Sequence, residues 1–193
     1  MGFNLHMNIG DVEMDISREG LQYTKATVQT IKNKLDQVLA EIKEQFTKKL
    51  AGCENLWEAR CLYGEMFRGN LRNIGNLLSL SKIEYEGVKL TETDIHFSTV
   101  HKGITLIKFY KNRSSGKFSR HMRHNQLSPG AMNDDTFYVN DIERGQYAAV
   151  MRDMSNNSLK KAYLFNFEDD TAREHFKNYI GMPDSMMRKV SSI

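Results

Sequence analysis

The 193-residue chain predicts an α+β fold: an N-terminal helical hairpin, then a six- to seven-stranded antiparallel sheet or partly open barrel closed by a C-terminal helix. Three observations carry that expectation. Apolar residues between 18 and 80 recur at steps of three and four, those between 82 and 167 mostly alternate with polar ones, and a capped stretch of helical period follows before Gly181. The boundaries that follow are an arm at 1–17, helices at 18–80, a β domain with its terminal helix at 82–180, and a tail at 181–193.

In the arm, Phe3, Leu5, Met7 and Ile9 alternate with polar residues, Gly10-Asp11 offers a turn, and Val12, Met14 and Ile16 resume the alternation. A lone hairpin is marginal in water, so this arm has to lie on the rest of the fold or on another subunit. From about Arg18 to Leu50, the residues Val28, Ile31, Leu35, Val38, Ile42 and Phe46 form a helical stripe flanked by Lys32, Lys34, Glu41, Lys43 and Glu44. The stripe is nearly a coiled-coil seam, suited to packing within the chain or to self-dimerisation through Leu35, Val38 and Ile42. Ala51-Gly52 ends it. A second helical stretch, about Glu54 to Ser79, carries Trp57, Cys61, Leu62, Met66, Phe67, Leu71, Ile74, Leu77 and Leu78. Its glycines Gly64, Gly69 and Gly75 each cost up to about 1 kcal/mol inside a helix, which implies breaks or the close approach of a neighbouring backbone.

After Ser81 the period becomes two. Ile83 to Leu90, Ile95 to Thr99, Ile104 to Phe109, Phe137 to Val139, Tyr147 to Met151 and Tyr163 to Phe167 read as strands, with Lys117 to His124 a strand or loop. Turn signals separate them at Glu86-Gly87, Lys102-Gly103, Ser114-Ser115-Gly116, Pro129-Gly130, Arg144-Gly145 and Asn156-Asn157, so the last two strands form one hairpin. Asp169-Asp170-Thr171 caps a helix that Gly181 and Pro183 stop. In order of elements this resembles pleckstrin-homology-like domains, whose curved sheet is closed by a C-terminal helix. Beyond the helix, Met186, Val190 and Ile193 form a short apolar stripe expected to dock on a neighbouring subunit.

Function enters through charge. Residues 95–133 contain no Asp or Glu but carry Lys102, Lys108, Lys111, Arg113, Lys117, Arg120 and Arg123, with His96, His101, His121 and His124 among them, while each flank is slightly acidic. Tyr110 and Phe118 interleave with these cations, as groups that stack bases and neutralise phosphates do. The pattern points to a polyanionic partner, nucleic acid or an acidic protein surface, met by a non-enzymatic interaction protein that also assembles through its helices and termini. A homo-oligomer, or a subunit of a virus, phage or other large particle, fits that description.

The competing expectation is a nucleic-acid-processing or phosphate-ligand enzyme built on the His, Lys and Arg cluster at 96–124. A concave pocket with converging histidines and carboxylates would favour it, an open convex face would not. The motifs for an enzyme are sparse. No Walker loop, G-x-G-x-x-G or G-x-S-x-G occurs, and His96-Phe97-Ser98 is only half of a two-histidine phosphoesterase signature. No cofactor is called for. His121 and His124 could ligate a metal, but the surrounding cations oppose it, and Asp134-Asp135 reads equally as turn chemistry. Cys53 and Cys61 form no C-x-x-C pair, no run approaches the roughly 20 apolar residues of a membrane span, and the amino terminus has neither a signal-peptide core nor a myristoylation motif, with His6 where Ser or Thr is needed. A cytoplasmic setting, or one inside a virus particle, is the expectation.

Overall fold

A computed structural model describes residues 5–17, 20–68, 83–96, 103–132 and 134–193. The expectations for Phe3, for residues 69–82 and for residues 97–102, Lys102 among them, lie outside the described residues. In chain order the elements are α1 (Lys25–Leu50), α2 (Leu56–Phe67), β1 (Glu84–Tyr85), β2 (Val88–Lys89), β3 (Ile95–His96), β4 (Ile104–Lys111), β5 (Phe118–His124), β6 (Gln126–Leu127), β7 (Thr136–Val139), α3 (Gln146–Asn156), β8 (Lys161–Phe167), α4 (Asp170–Ile180) and β9 (Met187–Lys189). The class is α+β.

Three of the helices begin where a short polar side chain can satisfy an orphan backbone N–H. Thr24 accepts from the Thr27 amide, Asn55 from Glu58 and Asp169 from Ala172. The arm turns at Gly10-Asp11, where the Asp11 amide donates to the Asn8 carbonyl at 3.1 Å, and beyond it a bridge joins Met14 to Leu21 while the Glu13 amide donates to Thr27 Oγ1, tying the arm to the first turn of α1.

The main sheet runs β5-β4-β8-β7-β9. β4 is antiparallel to both of its neighbours, β5 and β8, but β7 is parallel to both β8 and β9. The sheet is therefore mixed, not antiparallel, and the likeness to pleckstrin-homology-like domains does not hold. The difference traces to residues 146–156. Tyr147, Ala149 and Met151 do alternate, but Tyr147, Val150, Met151 and Met154 also recur at the helical spacing of three, one and three, and the segment is α3. With a helix there, β7 and β8 become parallel neighbours joined by a crossover, and no 147–167 hairpin exists.

Alternation then divides the sheet's two faces. Ile107, Phe109, Tyr138, Ala162 and Leu164 point toward α3 and pack on Ala149, Val150 and Met154. Leu106, Phe137, Tyr163, Phe165 and Met187 point the other way, onto Trp57 of α2 and Phe176 and Ile180 of α4. The tail is consumed by the same sheet. As β9 it pairs with β7, and Val190 is buried against the α3 side, with Ile193 half-buried beside it. The expected docking of Val190 and Ile193 on another subunit is corrected accordingly: a free strand edge on β7 took up the tail first. Met186 alone of the three stays exposed.

α2 is buried on two sides. Ala59, Tyr63 and Phe67 meet Phe46 and Leu50 at the end of α1, together with Ile83 and Leu90 around the β1–β2 hairpin, while Trp57 meets Phe137 edge-on at 5.7 Å. Arg60 is also buried, donating to the Tyr179 carbonyl at 2.9 Å and lying over the Tyr179 ring, which clips α2 to α4. This depth requires glycine. A Cβ on Gly64 would stand 2.7 Å from the backbone nitrogen of Gly130, so the expected close approach of a neighbouring backbone is realised there. Gly181, left-handed at φ +77°, is closed off by Leu56 in the same way.

Gly64→Ala should therefore destabilise the protein by about 1–3 kcal/mol, the usual cost of overpacking, even though alanine favours a helix by up to about 1 kcal/mol over glycine. The check is urea unfolding: a lower midpoint with unchanged slope is expected, and a higher midpoint would show that the two backbones can separate without loss.

Candidate polyanion-binding cleft

The β4–β5 hairpin presents the basic stretch. Its turn is set by Asn112, whose side-chain oxygen accepts from the Ser114 amide and hydroxyl, by Gly116 at φ +65°, and by the Asn112 amide donating to the Lys117 carbonyl at 2.8 Å. Across the ladder, Lys108 stands opposite both His121 and Tyr163. The β4–β5 register shifts between Leu106 and Lys108. Residues three apart on a regular strand face opposite sides, and this irregularity is what lets His121 and His124 converge, with ring centroids 5.8 Å apart.

Strand alternation sends part of the charge elsewhere. Arg120, opposite Phe109, stacks over the Tyr147 ring on the α3 side at 4.8 Å, and Phe118 is half-buried in that core. Lys117 is exposed in the turn. Arg123 lies in β5, with its side chain outside what is described.

What remains converges with residues the charge count passed over. A cleft of about 960 Å³ is lined by Lys108, Lys111, Arg113, His121 and His124, by the partly exposed Tyr110, and by Lys160 and Lys161 at the head of β8. Among the described residues, no carboxylate lines it. Lys161 arrives because it pairs with Tyr110 across β4–β8, and the Lys111 amide holds the Lys160 carbonyl at 3.0 Å. The signal for these two was a Lys-Lys pair heading the last alternating strand, inside a region of net negative charge.

A second hollow of about 530 Å³ shares Lys160 and Lys161 and contains Asp134 and Asp135. The Asp135 side chain is only 7% exposed and stands 3.8 Å from the Lys161 ammonium. Its Oδ2 has no hydrogen-bond partner among the described residues. Burial raises the Asp135 pKa, with Lys161 and Lys108 opposing. Asp135, beside the cleft through Lys161, is thus held partly back from neutralising it.

His124 shifts the other way. Burial lowers its pKa first, then the charge of the facing Lys108 and the neighbouring His121, against one hydrogen bond that His124 donates to the Gln126 backbone. Tyr163 beneath it is pushed well above the ordinary phenol range by burial and Asp135. No group of three metal-ligating side chains occurs among the described residues. The thiol of Cys61 is pushed up to about 12 by burial, which disfavours its thiolate. No described helix is long and apolar enough to cross a membrane.

Comparison of the chain with protein-family models, curated proteins and solved structures gives no match.

Because the folded state resists protonating His124, its stabilising contribution is present at high pH and lost as pH falls below the ordinary imidazole pKa of about 6.5. In an NMR titration His124 should protonate below that value, and Lys108→Met should raise its midpoint by removing a facing cation. An unmoved midpoint in the variant would mean that burial alone sets it.

Proposed function

We propose that this protein binds single-stranded nucleic acid, holding the phosphate backbone in the cleft between the β4–β5 hairpin and the head of β8. The observation that carries the reading is convergence: among the described residues, five Lys or Arg side chains and two histidines from three separate stretches line one hollow without a carboxylate. A hollow near the upper end of the roughly 300–1,000 Å³ range of ligand pockets admits a few linked phosphates and excludes a flat protein face. Tyr110, partly exposed among the cations, offers a ring on which a base can stack. The free thiols Cys53 and Cys61 support a reducing, cytoplasmic setting, and within it the protein acts as an oligomer or as a subunit of a larger particle such as a virus.

A second reading is favoured by one feature. His121 and His124 meet in the same hollow, so a bound phosphodiester would lie beside two imidazoles, the groups that general acid–base cleavage uses. Incubation with a labelled RNA separates the two readings. Intact RNA after binding supports the first, and metal-independent cleavage abolished by His124→Ala supports the second.

Binding of a labelled single-stranded oligonucleotide, followed by fluorescence anisotropy over a salt series, tests the main reading. Each neutralised phosphate contributes about −0.7 to the slope of log affinity against log salt, so four or five contacts give about −3 to −3.5. Replacing Lys108, Lys111 and Lys161 by Ala should flatten the slope by about 2 units, whereas Lys117→Ala with Arg120→Ala, outside the hollow, should change it little. Equal loss from both sets would mean that surface charge, not the cleft, binds. Affinity should also rise as pH falls toward and below 6.5, since an anion favours protonated His124, and His124→Gln should weaken that rise.

A further inference from the structure

Only Phe46 and Leu50 among the apolar residues of α1 are buried. Val28 is 49% and Leu35 38% exposed, and Ile31, Val38 and Ile42 are half-buried. These five recur at steps of three and four and form an a/d seam on a 26-residue helix. Local support along it is modest: Gln29–Asn33, Gln37–Glu41 and Glu44–Lys48 are side-chain pairs four residues apart, each worth about 0.2–0.5 kcal/mol. A helix of this length takes its stability mainly from a buried apolar face; among the described residues that face is covered only toward its C-terminal end, where Phe46 and Leu50 are buried and Ile42 packs beside them, while Val28 and Leu35 stay exposed.

We infer that α1 pairs antiparallel with α1 of a second copy of the chain. The charges beside the seam choose the register. With Leu35 opposite Val38 of the partner subunit and Ile31 opposite Ile42 of the partner subunit, Lys34 of each chain meets Glu41 of the other, twice by symmetry. Sliding by one heptad in one direction sets Lys34 against its own copy and Lys32 against its own copy. Sliding in the other direction sets Glu41 against itself. Both alternatives oppose like charges, so the sequence specifies one antiparallel register and penalises its neighbours.

Parallel pairing lacks this complementarity. It would set Lys34 beside Leu39 and Glu41 beside Phe46, and Phe46 is fully buried against α2. It would also bring the two folded bodies, each attached at the C-terminal end of α1, to the same end of the helix pair. Antiparallel pairing puts them at opposite ends. Glu41 accepts a hydrogen bond from Gln37, and among the described residues neither Lys34 nor Glu41 forms an ion pair, so both are placed to meet an opposite charge from outside.

The test is charge reversal read by sedimentation velocity across a concentration series. The wild-type chain should sediment at twice its monomer mass. Glu41→Lys and Lys34→Glu should each weaken dimerisation about tenfold or more by facing like charges. Mixing the two variants should restore the dimer as a heterodimer, because one then presents two Lys and the other two Glu along the same edge. Far-UV circular dichroism confirms that the variants stay helical; should either lose helix, the double variant carrying both reversals, which restores both pairs, is read in its place and should dimerise as the wild type does. A monomeric wild type, a dimer indifferent to both reversals, or a mixture or double variant that stays monomeric overturns the inference. The result is independent of the cleft and of any nucleic acid.

Discussion

The backbone-to-backbone contact of Gly64 with Gly130 sets how close the helical layer can come to the sheet. With no side chain at either position, α2 sinks until Trp57 reaches Phe137 and Arg60 reaches the Tyr179 carbonyl. The same contact fixes the 3-10 turn at Pro129–Ala131, which lies between β6 and β7. Through β6 it bears on the end of β5, where His124 sits, and through β7 on Asp135. A packing constraint in the apolar layer thus sets the geometry of polar groups that it never touches.

The cleft concentrates like charges, which is unfavourable until an anion arrives. Aromatic rings offset part of that repulsion. Lys108 lies over Tyr163 and Lys111 over Phe118, each contact worth about 0.5–1 kcal/mol at exposed sites. These rings belong to the core, so the cations are anchored by the sheet rather than by carboxylates that a phosphate would have to displace. Asp135 is the exception, and its burial weakens it as a competitor by favouring its neutral form.

Much of this was legible in the sequence, for reasons that can be stated residue by residue. The α+β class, α1 and its Ala51-Gly52 stop, the β4 strand and the capped terminal helix all rest on strong local signals. Gly64 announced its close neighbour because glycine inside a helix is costly. What failed was non-local. Tyr147, Ala149 and Met151 satisfy both periods, and only the presence of two parallel strands to bridge decides for the helix. The tail stripe was real, but its partner was the chain's own β7 edge. Lys160 and Lys161 could not be assigned to the basic face from a charge count, because only the β4–β8 register carries them there. Conversely, alternation alone was enough to remove Arg120, which the count had included.

The two proposals meet in geometry. In the antiparallel register the α1 ends that carry the folded bodies lie about 40 Å apart at 1.5 Å of rise per residue. Two basic clefts at that order of separation cannot share one mononucleotide or a very short strand, so such ligands would sample a single cleft with its intrinsic affinity. A strand long enough to span them binds the second cleft at an effective concentration set by its own length and stiffness, and avidity then exceeds either single affinity without any new contact. Length discrimination would in that case come from the helix pair and chemical discrimination from the cleft. The two properties would separate under mutation: charge reversal at Glu41 would abolish the preference for long strands while leaving the affinity for short ones unchanged.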